Sequence, residues 1–251
     1  MHPLRDLVDY TDGYLQIARC VDWPNALNGL QVENSGTVHK IGAAVDASMR
    51  TFSMAAERGI DLLLVHHGLF WPGLQPIVGA TRSRLKLLFE RDIALYSAHL
   101  PLDVHPVVGN NAQLASRLEL KNPEPFFEMK GQLIGLRAQA RLPINTLARK
   151  LEDSLGGPAK LFASGPETTA NIGIITGGAG SEIYAVAREG IDTFITGEAP
   201  HWAAIAAEEL KVNLLLGGHY ATEIFGVRAL AAHLSERFGI PWEFLDAPTG
   251  L

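Results

Sequence analysis

Apolar runs of strand length alternate along this chain with stretches of helical period. "HKIGAAVDA" reads as a strand, "MRTFSMAAERG" as a helix and "IDLLLVHHG" as a second strand. A loop with Pro72, Gly73 and Pro76 follows. Then come a helix near "SRLKLLFERD", the strand "IALYSAHLP" and the helix "NNAQLASRLEL". Such β-α-β alternation predicts an α/β fold with mostly parallel pairing. The composition changes at "KNPEPFFEMKG", which divides the chain into domains of residues 1–124 and 125–251, with packing of the C-terminal segment back on the first domain left open. In the second, "GQLIGLRAQARLP" to "GGPAKLFASG" holds two strands around the helix "INTLARKLEDSLG".

The two halves share a pattern. "AAERGIDLLLVHHG" resembles "VAREGIDTFITGEA", with Gly59-Ile60-Asp61 matching Gly190-Ile191-Asp192 at an offset of 131 (190 − 59). Each copy leads to a further strand that ends in histidine. His99 is followed four residues later by Asp103, and His219 four residues later by Glu223. An internal pseudo-repeat therefore relates the domains.

Ligands of parallel α/β sheets gather beyond the carboxyl ends of strands. His66, His67, His99, Asp103, His219 and Glu223 all stand at such ends. At a strand end the chain turns, and Gly68 permits a sharp turn that brings His66 and His67 onto one site. "GGHYATEIFGVRALAAHL" reads as a glycine turn entering an amphipathic helix, where His219 and Glu223 share a face. The positive helix end favours an ionised Glu223 and disfavours an imidazolium at His219. Pro101 places His99 and Asp103 in a loop. Each residue also has a plainer role open to it: a core histidine bonded to a carbonyl, a capping Asp103, a solvated Glu223. His99 reads equally as a ligand or as a hydrogen-bonded neighbour of ligands.

Nitrogen and oxygen donors without a thiolate suit Zn, Fe, Mn, Co or Ni. Five or six donors exceed one tetrahedral ion and suit a dinuclear centre. "TGEAPHW" adds Glu198 and His201 as proton carriers or substrate contacts at the rim. "ITGGAGSE" follows a strand but lacks the residues of a nucleotide loop, so it reads as an ordinary strand-to-helix turn. His2, His39, His105 and His233 have no partner pattern.

Composition narrows the classes. Of 251 residues, 47% are hydrophobic and 19% charged, which fits a well-cored protein and argues against disorder. No apolar run reaches the roughly 18 residues of a membrane span, and the start has no signal-peptide pattern. Cys20 is the only cysteine, which excludes an internal disulfide and points to the cytoplasm. A net charge of −6 gives no footprint for nucleic acid or anionic lipid. No Gly-x-Ser-x-Gly elbow is present.

At "NGLQV" (Asn28 to Val32), "VHHGLFW" (Val65 to Trp71), "YSAHLPLD" (Tyr96 to Asp103), "TGE" (Thr196 to Glu198) and "GGHYATEIFGV" (Gly217 to Val227) the chain resembles the Nif-three-like dinuclear metal-centre family, also named type 2 GTP cyclohydrolase I homologues. The blocks span nearly the whole chain in family order. The resemblance implies two interlinked α/β domains and a toroidal homohexamer. It implies two divalent ions per subunit on His66, His67, Asp103, His219 and Glu223, with His99 close by. The length matches the short bacterial form. After Thr196-Gly197 the family varies in acid and spacing, which leaves Glu198 and His201 without a settled role.

The leading expectation is a metal-dependent hydrolase of a small molecule. The cyclohydrolase name implies water attacking the purine C8 of GTP, with His99 relaying protons. A phosphoesterase or amidohydrolase would use the same parts. A non-catalytic metal-binding or adaptor hexamer is the alternative. A ring encircling nucleic acid is the third reading, and the acidic balance counts against it.

Overall fold

The computed structural model describes residues 1–250. In chain order its elements begin with β1 (His2–Pro3), α1 (Leu4–Leu15), β2 (Gly29–Val32), β3 (Thr37–Val38), β4 (Ile41–Asp46), α2 (Met49–Glu57), β5 (Leu62–His67), α3 (Gly79–Glu90) and β6 (Ala94–Ser97). They continue with α4 (Leu100–Asp103), α5 (Asn110–Arg117), β7 (Glu124–Met129), β8 (Gln132–Gln139), α6 (Ile144–Leu155), β9 (Lys160–Phe162) and β10 (Asn171–Ile174). The last are α7 (Ile183–Arg188), β11 (Thr193–Thr196), α8 (His201–Leu210), β12 (Asn213–Leu216), α9 (His219–Phe238) and β13 (Trp242–Phe244). The α/β class expected from the alternation is what the chain adopts.

The chain divides into two units. Met1–Val108 with Gly226–Ala247 forms the first, and Gly109–Phe225 with the stretch from Pro248 forms the second. The first part of α9 thus belongs to the second unit and its later part to the first.

The sheet of the first unit runs β13-β4-β5-β6-β2. Strands β13, β4, β5 and β6 are parallel and β2 is antiparallel beside β6. Five of the six residues of both β4 and β5 are buried. This suits strands covered on both faces, and explains why they read as unbroken apolar runs. One side packs Leu62, Leu64 and Tyr96 with Leu4 and Leu7 of α1 and Leu230 and Leu234 of α9. The other packs Leu63, Val65 and Leu95 with Phe52 of α2 and Leu88 of α3. Ser48 starts α2 with a capping box, its hydroxyl accepting from Thr51 N while the Thr51 hydroxyl accepts from Ser48 N.

The sheet of the second unit runs β7-β8-β10-β11-β12-β9. Its centre, β10-β11-β12, is parallel, and β8, β9 and β7 join antiparallel. Its core joins Ile172, Ile174, Ile195 and Leu215 to Leu147 and Leu151 of α6 and to Phe225. The stretch "KNPEPFFEMKG" contains β7 and lies wholly in this unit. Its Lys130-Gly131 tip has φ of 54° and 78°, the positive pair that a tight two-residue hairpin requires.

Each unit has three parallel central strands with an antiparallel strand beside the last. The matched sequence stretches explain the agreement. Gly59 and Gly190 have φ of 63° and 80°, a left-handed exit after a helix that glycine tolerates best. Asp61 Oδ2 then accepts from His39 N at 2.6 Å and Lys40 N at 2.9 Å. Asp192 Oδ2 accepts from Ala170 N at 2.9 Å and Asn171 N at 2.7 Å. In both units this carboxylate satisfies the amides that lead into the first central strand. The aspartate carbonyls also take matching bonds, from Ala94 N and from Asn213 N, each 2.8 Å.

Candidate functional site

In the first unit, β4, β5 and β6 end side by side. Asp46 is the last residue of β4 and pairs in register with His67, the last of β5. His99 follows β6 at the start of α4. Three imidazoles meet there: the His66 ring lies 4.7 Å from His67 and 4.9 Å from His99, centroid to centroid. A ring nitrogen from each of the three lies within 4.8 Å of those of the other two. His66 is fully buried and His67 and His99 are mostly so. Asp103 is buried too, with Oδ2 3.5 Å from His66 Nε2.

Two expectations about this region change. "HLPLD" is not a loop, because Leu100–Asp103 forms the short helix α4 with Pro101 in its first turn. Proline's missing N–H costs nothing there, since that amide has no helical partner anyway. The His99 carbonyl accepts from Leu102 N at 2.8 Å and Asp103 N at 3.1 Å, so α4 turns Asp103 back toward the strand ends. Gly68 supplies space and not a special φ. A Cβ there would overlap the Gln31 side chain, whose Nε2 donates to Ala26 O and Leu27 O and whose Oε1 accepts from Leu69 N.

In the second unit, His219 and Glu223 open α9. His219 Nε2 lies 3.2 Å from Glu223 Oε2, one turn along the helix. Glu223 is 3% exposed. The "ITGGAGSE" turn is more than a connection. Gly177, at φ 71°, packs so close that a Cβ would overlap Glu223 Oε1. Gly177 N donates to Thr222 Oγ1 at 3.1 Å, and Gly177 O accepts from Gly197 N and Glu198 N. The glycine turn thus lies against the start of α9 and holds the "TGE" segment beside it.

All four imidazoles share one arrangement. His66 Nδ1 bonds Ala98 O at 2.9 Å and His67 Nδ1 bonds Asp46 Oδ1 at 2.9 Å. His99 Nδ1 lies 3.0 and 3.1 Å from the two oxygens of Asp22. His219 Nδ1 bonds Glu198 Oε1 at 2.9 Å. A carbonyl or carboxylate only accepts, so the neutral rings of His66, His67 and His99 carry their hydrogen on Nδ1 and present Nε2 as the ligating atom, whereas His219 has a carboxylate at both nitrogens. Metal-binding histidines are typically oriented this way by an acceptor behind the ring. With Asp103 and Glu223 adding oxygen, the donor chemistry fits divalent metal ions.

Sequence reasoning missed Asp22 and Asp46. Asp46 had a faint signal as an acid ending the strand "IGAAVD". Asp22 had none, lying 77 residues before His99. Glu198 sits behind the His219 ring. His201 opens α8 as an exposed residue and belongs to neither cluster.

The metal-free electrostatics reverse one expectation. Burial pushes the His219 imidazole down, but Glu223 and Glu198 outweigh it and raise its pKa to about 9. Two carboxylates on one ring thus dominate the helix end, which disfavours the cation. A metal at Nε2 would take the place of that proton.

Among proteins of known sequence, the chain is 40% identical over 248 residues to a protein of Deinococcus radiodurans named GTP cyclohydrolase 1 type 2 homolog, covering 98% of this chain and 94% of that one. A Pyrococcus horikoshii protein of the same name is 40% identical over 249 residues, covering 98% of each. Among solved structures, TTHA1606 from Thermus thermophilus superposes with a TM-score of 0.90 at 42% identity, covering 100% of both chains. The model of the Duf34/NIF3 (NGG1p interacting factor 3) family matches residues 2–249, and the chain belongs to that family. No helix among the described residues is long and apolar enough to cross a membrane.

Proposed function

We propose that this protein is a metal-dependent hydrolase that holds two divalent ions through His66, His67 and Asp103 of the first unit and His219 and Glu223 of the second. The observation that carries this reading is the common Nδ1 anchoring of the imidazoles, which makes Nε2 the atom each ring can offer to a metal beside the buried carboxylates of Asp103 and Glu223. When bound, such ions supply Lewis acidity that brings the pKa of water toward neutrality.

The chain's own groups then divide the work. His66, His67, Asp103, His219 and Glu223 bind and offset charge. His99 takes a proton at Nε2 from the attacking water and returns it to the leaving group, a contribution of about 10²–10⁴-fold. Glu198 orients His219, and His201 is the next proton carrier should His99 prove to be a ligand. The substrate class is a small molecule such as a purine nucleotide, which the names of the relatives support. A cytoplasmic homohexamer completes the reading.

Metal analysis of the purified protein, followed by a substrate screen with the reconstituted metal, tests it. The expected result is two equivalents per chain and turnover of a nucleotide or related heterocycle. Two equivalents without turnover of any hydrolysable substrate would favour a metal-binding adaptor. Less than one equivalent would end the reading. Light scattering checks the hexamer, which a monomer at micromolar concentration would refute.

A further inference from the structure

The segment Asp22–Asn28, between α1 and β2, is built around His99. The Asp22 side chain is only 6% exposed. Its Oδ1 accepts from Trp23 N at 2.7 Å, and its Oδ2 accepts from Asn28 Nδ2 at 2.8 Å and Leu100 N at 3.0 Å. His99 Nδ1 lies within reach of both oxygens. Asn28 turns its Oδ1 the other way and accepts from His99 N at 2.7 Å. The loop therefore grips His99 by ring and by backbone.

The bonds also settle charge. Burial raises the Asp22 carboxyl, but the His99 ring, Asn28 and the Trp23 amide outweigh it and hold the group below the usual carboxylate range. An ionised carboxylate offers only acceptors.

We propose that Asp22 is a positioning residue that fixes the Nδ1–H tautomer of His99 and so reserves Nε2 as a lone-pair nitrogen beside His66 and His67. A ring with its hydrogen on Nε2 can neither accept a proton there nor hold an ion. The assignment stands on geometry and does not depend on the reaction proposed above.

The donor count predicts what Asp22→Asn does. Besides the His99 ring, which is nearer Oδ1 at 3.0 Å, the Oδ2 position faces two donors, Asn28 Nδ2 and Leu100 N, and the Oδ1 position one, Trp23 N. The amide therefore places its oxygen at Oδ2 and its NH₂ at Oδ1. That NH₂ donates to His99 Nδ1, and the ring hydrogen moves to Nε2. An aspartate serving a catalytic histidine sets its tautomer in this way, and its amide variant gives the wrong one.

Histidine-selective ¹⁵N NMR on the metal-free full chain reads this directly, at a pH where the ring is neutral. The His99 resonances are assigned by their loss in His99→Gln. The expected wild-type spectrum has hydrogen on Nδ1 and a pyridine-type Nε2, and D22N exchanges the two. Asn28→Ala removes a donor to Asp22 but leaves both acceptors, so the wild-type tautomer should persist. A wild-type His99 protonated at Nε2 would overturn the assignment, as would an unchanged tautomer in D22N. If D22N does not fold, the wild-type and N28A spectra still decide. A structural role alone would lower stability without exchanging the two nitrogens.

Discussion

Gly177 and Glu223 occupy neighbouring space that leaves no room for a methyl group. The glycine has φ 71° and a Cβ built on it would overlap Glu223 Oε1. Gly177→Ala therefore meets two costs at once. A left-handed backbone costs a non-glycine residue about 1–2 kcal/mol, and Glu223 must leave its position. The expected outcome is a lower melting temperature with a marked loss of metal stoichiometry, measured by calorimetry and elemental analysis. An alanine variant with unchanged metal content would show that Glu223 does not bind metal where it now lies.

Removing the carboxylate itself is the companion test. On the proposed function, Glu223→Ala should sharply reduce metal occupancy, because the buried carboxylate would offset a cation's charge as well as offer it a ligand. His99→Ala should instead keep both ions and lose about 10²–10⁴-fold of activity. Metal content separates the outcomes: a lost equivalent would make His99 a ligand and pass the proton role to His201.

The raised His219 pKa gives a pH prediction for the metal-free protein. Its folded value of about 9 lies above the ordinary 6.5. The imidazolium therefore contributes stability fully below pH 6.5, and that contribution fades as pH rises through about 9. Metal at Nε2 must displace the same proton, so affinity should rise with pH up to about 9 and binding should release a proton at neutral pH. Titration calorimetry in two buffers of different ionisation enthalpy measures the release. Glu198→Gln should shrink it, since one of the two carboxylates holding the cation is gone.

Asp61 and Asp192 should behave as counterparts. Each accepts two backbone N–H bonds at the entry of a central strand. Hydrogen bonds to a charged group contribute about 1.5–3 kcal/mol, and water offsets part of that at partly exposed amides. Asp61→Ala and Asp192→Ala should each destabilise by about 1–3 kcal/mol in urea unfolding. A loss at only one of them would break the functional equivalence of the two halves.

That equivalence was legible in sequence because Gly-Ile-Asp has a local reason at each place: a left-handed exit, a buried contact and an amide-binding carboxylate. The strand-end histidines were legible because apolar runs mark parallel strands and show where they stop. Asp22 was hidden because its partner is 77 residues away and only tertiary packing joins them. The hairpin of β7 and β8 is hard to see in sequence because Pro125 and the charged flanks mark a composition change that reads as a boundary, while Lys130-Gly131 carries the turn. The helix in "HLPLD" is hidden in sequence because proline ordinarily breaks helices and only its first-turn position makes it acceptable here. The role of Gly177 lay in a contact with Glu223, and no local pattern reports such a contact.

The order of synthesis follows from the division of α9. Strand β13, Trp242–Phe244, pairs with Ile41–Ala43 near the start of the chain, and Leu230 and Leu234 fill the core beneath the first sheet. All strands of the second sheet have been made by Leu216, whereas the first sheet still lacks an edge strand and part of its covering core. The sheet begun first in translation is thus finished only when Trp242–Phe244 arrives. Until those last residues arrive, the nascent first half carries an unpaired β4 edge and uncovered leucines, the features that recruit chaperones or invite aggregation.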